Sequence, residues 1–499
     1  MSLLSLKSGK GIKMVGKGFG LLLIVLRNFP LKTEIDDMKQ KKPVLIIPIE
    51  TKVREFVGKL FLAYTAAKAG YKVIFGDQST IQNITDLLPR GFYLSKSVAA
   101  TTKAQYTQLK KQGFTPVAWD EEGLLYFSTD VYHKLRLSKE SLHSVEAFFC
   151  WGKEQCDDIR AFCPDVENKL FLCGNPRFDL LRKELLPFHT PKVSEYSEEY
   201  GKIILLNTNF GFYNHYRSPE EVRNMLANFP LSSEAGFIDG WIDFQHAGFD
   251  AFRDILPLLS KKFPDYSIVL RPHPSENHKK WEDICGKFEN VSMRADGNVH
   301  EWIIASEVIV HFNCTTAVEA FILGVAPITY RPIQQEKYEN TLPKIVSYDA
   351  FTPDEVIDSI SRALAKELGF FNEVWSEDAW KVVNRYVTGL EGSFASERVV
   401  SNLKNVSLSQ ESISCTVDLL RRLKLNWRKI LYRYREMVSP SDGYCLQKQP
   451  GFSAIEIEEV LTGFNAVNGL ESNFSVKQCF KNVYEIELSV GMNYRQEES

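Results

Sequence analysis

The stretch that most constrains this chain is residues 267–276, SIVLRPHPSE. Ile268, Val269 and Leu270 read as the end of a strand buried on both faces, as in a parallel sheet covered by helices. The chain then leaves the sheet as Arg271-Pro272-His273-Pro274. Proline disfavours helix at the residue before it, so Arg271 and His273 are expected extended at the strand's carboxyl end. In an open α/β sheet that edge is where ligands bind. A guanidinium suited to phosphate would stand there beside an imidazole able to donate a proton near neutral pH.

The α/β pattern begins at Lys42. Residues 43–49 (PVLIIPI) read as a buried strand, 53–69 as a helix stopped by Gly70, and 71–75 as the next strand. Rossmann-like domains begin with this unit. Its first turn carries Glu50-Thr51-Lys52-Val53-Arg54 in place of GxGxxG, which disfavours a dinucleotide-dependent oxidoreductase. Further strands are expected at 91–94, 115–119, 145–150 and 170–173. The strand at 115–119 delivers Asp120-Glu121-Glu122-Gly123. Three adjacent carboxylates repel, which should raise at least one pKa, as proton transfer with a sugar hydroxyl requires. Taken alone, the stretch reads first as a solvated acidic turn, since acidic turns are common. Residues 174–179 (GNPRFD) form a tight turn bearing Arg177 and Asp179, and 187–200 read as a polar linker, so a first domain is expected over 41–190.

A second domain is expected over 200–350. Its first strand (202–206) runs into a polar loop, Asn207-Thr208-Asn209-Phe210-Gly211, suited to a ligand. A helical insertion is expected over 219–245 and a new helix from His246 to Phe263, ahead of the RPHP strand. A strand at 308–311 then leads through Asn313-Cys314-Thr315-Thr316 into a helix closed by Gly324, and 325–330 closes the sheet. Thr315 and Thr316 at that helix start are either simple caps or a phosphate site. Their place on the same sheet edge as RPHP favours the ligand. Arg271 is assigned to phosphate and Glu319, one turn into the helix, to ribose. Residues 351–499 are expected to be mainly helical, with a basic helix over 415–436.

At 499 residues the chain suggests two or three domains, and a net charge of −3 carries no nucleic-acid signature. Nine cysteines form no CxxC pair, so reduced buried thiols are expected rather than zinc, which fits the cytoplasm. Lys7, Lys10, Lys13 and Lys17 precede the apolar run 19–26. As a helix that run spans about 12 Å, against roughly 30 Å of hydrocarbon. No small-residue cleavage site follows. The reading is that residues 1–40 hold a basic segment lying peripherally on an anionic membrane face, or a disordered leader.

Glu121-Glu122-Gly123, His273-Pro274 and Thr315-Thr316 resemble, in order and approximate spacing, three motifs of bacterial sialyltransferases and related Kdo transferases. Those enzymes have the two-Rossmann GT-B fold. The chain also resembles bacterial surface carbohydrate biosynthesis proteins through PVLIIPIETKVRE, WDEEG, GNPRFDLL, RPHPSENH and NCTTAVEA, over roughly residues 43–400. The resemblance implies α/β architecture, two Rossmann-like domains facing a cleft with a helical C-terminal extension. It implies a glycosyltransferase using a CMP-activated ulosonic acid and a glycan or lipid-linked acceptor, with no cofactor and no metal. By analogy His273 contacts the donor phosphate and assists departure of the nucleotide. Thr315 and Thr316 hold that phosphate, and Glu122 or Glu121 deprotonates the acceptor. Asn209 and Asn313 are expected at the nucleotide. A retaining mechanism would need a further carboxylate, for which Asp179 is the candidate. GNPRFD also resembles a GxPRxD segment of teichoic-acid glycerophosphotransferases, which use CDP-glycerol. UDP-sugar 2-epimerases share the two-domain plan but fit the motifs less well. A non-catalytic assembly or export factor is the reading from another class.

Overall fold

The computed structural model describes residues 42–408 except 228 and 235, residue 428, and residues 443–489. The basic segment over 1–40 and, apart from Arg428, the helix expected over 415–436 lie outside the described residues.

All six residues of β1 (Val44–Ile49) are buried, as in a central strand covered on both faces. It belongs to a sheet with β2 (Lys72–Asp77), β3 (Phe92–Ser95), β4 (Thr115–Ala118), β5 (Ala147–Cys150) and β6 (Leu170–Leu172). These six run parallel in the order β2-β1-β3-β4-β5-β6. A second sheet holds β7 (Ile203–Asn207), β8 (Ser267–Arg271), β9 (Val291–Met293), β10 (Ser306–His311), β11 (Ala326–Tyr330) and β12 (Tyr348–Ala350). It is parallel throughout, in the order β12-β11-β10-β7-β8-β9. Strand order reverses between β1 and β3 in the first sheet and between β7 and β10 in the second. Those reversals open a crevice at each carboxyl edge. The expected architecture, two Rossmann-like sheets facing one cleft, is the one observed.

Five helices position the site: α1 (Lys52–Lys68), α2 (Leu186–Tyr200), α3 (Phe237–Lys262), α4 (Thr316–Leu323) and α5 (Ala395–Leu403). The second replaces the expected polar linker. Pro187 occupies its first turn, where a missing N–H costs nothing, and Tyr196 on its buried face stacks on Trp302 at 3.9 Å. The third runs unbroken through His246, where a separate helix was expected to begin.

The region beyond 351 departs from a helical appendage. Helices Pro353–Leu364 and Glu377–Tyr386 send Val356, Ile360, Ala379 and Val383 into the core of the second sheet. The chain then returns to the first half, where α5 and the helix Ala454–Val467 pack Val399, Leu403, Leu461 and Phe464 against α1. Finally β13 (Phe474–Phe480) and β14 (Val483–Leu488) form an antiparallel hairpin, and β14 pairs with β2. Their alternating apolar and charged residues (VYEIEL) mark half-buried strands at a sheet edge. Gly174 sits where the chain crosses back. Its φ is +86°, and a Cβ there would lie 2.0 Å from the Thr388 carbonyl oxygen.

Candidate active site cleft

A cleft of about 410 Å³ lies where the carboxyl edges of the two sheets meet. Arg54 and Glu122 line it from the first half, and Asn209, His273, Asn313 and Thr315 from the second.

In the first half the turn after β1 is organised by Glu55 rather than by glycines. Its carboxylate accepts from the backbone N–H groups of Glu50 (3.1 Å) and Thr51 (3.0 Å) and from Lys59 Nζ (2.6 Å). That pins the start of α1 and presents Arg54 to the cleft. The acidic turn after β4 meets it there. Each of its carboxylates turns to its own cation, so the expected mutual repulsion is absent. Buried Asp120 is gripped by Arg136 through Nε (3.1 Å) and Nη2, and its carbonyl accepts from Trp151 Nε1 (2.6 Å). Glu121 points inward to Lys59 Nζ (2.7 Å) and Trp119 Nε1 (2.7 Å), away from the cleft lining. Glu122 faces the cleft with 52% of its side chain exposed and accepts from Arg54 Nη2 at 2.7 Å. Partial burial pushes its pKa up, but Arg54 and Arg136 outweigh this and hold it near 2. The expected raised pKa is therefore a lowered one. Gly123 keeps the turn flush, since a Cβ there would meet the Gln155 amide nitrogen at 2.0 Å.

In the second half buried Glu276 is the hub. Its Oε1 accepts from Thr208 Oγ1 (2.7 Å), Phe210 N (3.0 Å) and His273 N (3.0 Å), and its Oε2 from Trp281 Nε1 (2.8 Å). One carboxylate thus ties the loop after β7 to the loop after β8. Gly211 allows their approach, a Cβ there falling 2.3 Å from Ser275 Oγ. The Ser275 N–H points to His273 Nδ1 (3.2 Å), whose other near neighbour is Ser275 Oγ (2.7 Å). Accepting from that N–H leaves Nε2 to carry the ring proton. Burial, with Arg54 nearby, lowers the pKa of His273 to about 4. Neutral, with Nδ1 already accepting, the imidazole offers the cleft an Nε2–H hydrogen-bond donor, not the ready proton donor expected.

The Asn313 backbone adopts φ +47°, a left-handed turn that asparagine tolerates. Its side chain donates to the Tyr338 carbonyl (2.8 Å) and accepts from Asn340 N (2.7 Å), while its carbonyl accepts from Asn209 Nδ2 (3.1 Å). Thr315 precedes α4 without a side-chain cap bond and lines the cleft. The Thr316 hydroxyl lies 2.6 Å from Cys314 Sγ, outside the lining.

Four further candidates stand away from the cleft lining. Arg271 is buried, donates to the carbonyls of Asp296 (2.5 Å) and Gly297 (3.1 Å), and stacks on Trp302, away from the cleft. As the last residue of β8 its side chain lies on a sheet face, not beyond the edge. Glu319 is wholly buried, bonded to Arg177 Nη2 at 2.5 Å and within 3.4 Å of His300 Nε2. It meets no open cleft, and Arg177 is consumed by the same pair. Asp179 is buried too, accepting from Ala395 N (2.6 Å), Ser396 N (2.9 Å) and Ser396 Oγ (2.7 Å), and so holds the start of α5.

Arg54 and Glu276 carry no recognisable role in the sequence alone. Arg54 stands in the first turn after β1, at the strand-order reversal, a position that would have flagged it. Gln245, His215 and Tyr444 also line the cleft, and no sequence pattern marks them. Among the described residues one group has metal-ligand chemistry, His143, Cys163 and Asp165. It lies outside the cleft lining, and its members are bonded to one another (His143 Nε2–Asp165 Oδ2 2.5 Å, Cys163 Sγ–Asp165 Oδ1 3.1 Å).

A scan against protein-family models finds no match, and a search of curated proteins finds none. Among solved structures the chain is similar to the wall teichoic acid polymerase TagF soaked with CDPG, at 12% identity and TM-score 0.48, over 78% of this chain and 96% of that one. It is also similar to a putative UDP-N-acetylglucosamine 2-epimerase from Listeria monocytogenes (13%, TM-score 0.43, 75% and 99%). The Neisseria meningitidis UDP-GlcNAc 2-epimerase bound to UDP-GlcNAc is a third (14%, TM-score 0.46, 73% and 100%).

Proposed function

We propose that this protein is a group transferase that takes a cytidine-nucleotide-activated donor into the cleft and transfers the activated group to a hydroxyl of a cell-surface glycan or polymer precursor. One observation carries the reading. A single cleft is lined at once by a carboxylate from one parallel sheet's edge and by an imidazole, amides and a helix start from the other's. The donor phosphate is assigned to His273, Thr315 and the start of α4, where Nε2–H, hydroxyl and helix dipole favour an anion. Asn209 and Asn313 shape the nucleotide wall. Glu122 is assigned to the acceptor proton.

The CDP-glycerol type of donor is placed first. Anion-binding groups stand on both walls, Arg54 on one and His273 with Thr315 on the other, and two stations suit a pyrophosphate better than a lone phosphate. A CMP-linked ulosonic acid is the second reading, which rests on the resemblance of the acidic turn, His273-Pro274 and Thr315-Thr316 to the sialyltransferase and Kdo transferase motifs. Calorimetric titration with CMP, CDP and UDP, in wild type and His273→Ala, separates them. Tightest binding of CDP supports the first and of CMP the second, each weakened by the substitution. Preference for UDP, or no binding of any of the three, contradicts both.

A further inference from the structure

Among the described residues two guanidinium groups line the cleft, and they are committed to different degrees. Arg136 clasps buried Asp120 through two nitrogens. Arg54 engages Nη2 alone, shared between Glu122 Oε1 (2.7 Å) and the Glu121 carbonyl (3.0 Å). Breaking the Arg136 pair would strand a carboxylate with no solvent access. Breaking the Arg54 pair would release one that is already half exposed. The Arg54–Glu122 contact is therefore the bond of the acidic turn that a ligand can replace without opening the core.

Resting on the nucleotide-donor reading above, we propose that Arg54 is a phosphate-binding residue that exchanges Glu122 for the donor's phosphate, so that donor binding itself frees the acceptor's base. A phosphate entering between Arg54 and His273 offers the guanidinium two oxygens in the fork geometry it prefers. Glu122 then loses its closest cation. It is left facing Glu50, just past β1 and itself paired with Lys96 and Lys448, Arg136 from the helix Thr129–Arg136, and His273 from the loop after β8. Arg136 stays bound to Asp120, so the proton affinity of Glu122 rises. In the transfer step the acceptor hydroxyl oxygen bonds to the transferred group and its proton passes to Glu122. The bond from that group to the nucleotide's phosphate oxygen breaks, and its electron pair departs on the phosphate between Arg54 and His273. Without donor, Glu122 is neutralised by Arg54 and does not activate the acceptor.

The test uses the described fold intact. Cytidine and the methyl ester of CMP, whose phosphodiester does not titrate near neutrality, are titrated calorimetrically at pH 5.5 in two buffers of different ionisation enthalpy. Wild type should take up protons on binding the ester but not cytidine, and Glu122→Gln should lose the larger part of that uptake. Arg54→Gln should lower the preference for ester over cytidine by about 10- to 100-fold, the range for a charge-assisted hydrogen bond. Arg54→Lys should restore part of it. Equal preference in wild type and Arg54→Gln, or uptake unchanged in Glu122→Gln, overturns the exchange while leaving the donor reading intact. Failure of wild type to bind the ester overturns both. If Arg54→Gln does not fold, the proton count in wild type against Glu122→Gln decides alone.

Discussion

Glu122 and His273 face each other across the cleft, and each has a pKa moved below its ordinary value. For Glu122 the folded pKa, near 2, lies below the unfolded value of about 4.3. Its contribution to stability is full above about pH 4.3 and is lost as pH falls toward 2. Denaturant midpoints measured from pH 2 to 5 should show a flatter acid limb in Glu122→Gln than in wild type. For His273 the unfolded chain binds the proton more readily between about pH 6.5 and 4, so stability falls as pH drops through that window. Ring-nitrogen shifts by NMR should keep His273 neutral down to about pH 4; titration near 6.5 would contradict its desolvated place beside Arg54. If Glu122 takes the acceptor proton, Glu122→Gln should lower turnover by about 10²- to 10⁴-fold with nucleotide affinity retained. The cleft-lining places of His273, Asn209, Asn313 and Thr315 were legible because they follow strand ends, the edge at which an open parallel sheet binds ligands. Arg271 and Glu319 were misread because the same stretches also hold a strand residue and a helix residue that turn inward. The sequence does not reveal that Trp302 waits for one and Arg177 for the other.

The local elements are each held by a small number of polar contacts placed where packing alone leaves the backbone unpaired. Asp179 is such a contact, carrying two backbone N–H groups and a hydroxyl at the start of α5. Asp179→Ala should cost about 2 kcal/mol of stability, seen in the denaturant midpoint, because buried N–H donors are left without an acceptor. An Asp179 acting as nucleophile would instead lose activity without losing stability. The loop after β7 depends on close approach, and Gly211→Ala, with its Cβ on Ser275, should weaken nucleotide binding more than it lowers the melting temperature. The strands and first helix were legible from apolar runs and stop signals. The helix α2 was not, because polar residues on its exposed face outweigh the buried Tyr196 and His189 in a linear reading.

Across the whole molecule the two halves are joined by buried charge as well as by chain crossings. Arg177 comes from the first half and Glu319 from α4 of the second, and His300 stands beside them. Removing one partner strands the other, so Arg177→Met should destabilise by about 3–5 kcal/mol, whereas the double variant with Glu319→Leu should recover much of that loss. The hairpin of β13 and β14 covers the edge of β2, and deleting residues 470–499 should expose that edge and drive self-association, visible by size-exclusion chromatography. Two facing sheets were readable from the strand–helix alternation. The return of the C-terminal region to the first sheet was not, since antiparallel edge strands carry only a short alternating pattern and their partner lies far away in sequence. The proposed function is transfer of a group from a cytidine-activated donor in the cleft between these halves. The decisive measurement follows CMP release, by chromatography, from CDP-glycerol and from CMP-activated ulosonic acids in the presence of bacterial membranes supplying acceptor. Acceptor-dependent CMP release is expected from one of these donors, and it should fall by about 10²-fold or more in His273→Ala and in Glu122→Gln. Release equal in wild type and both variants, or none from any cytidine-activated donor, would contradict the proposed function.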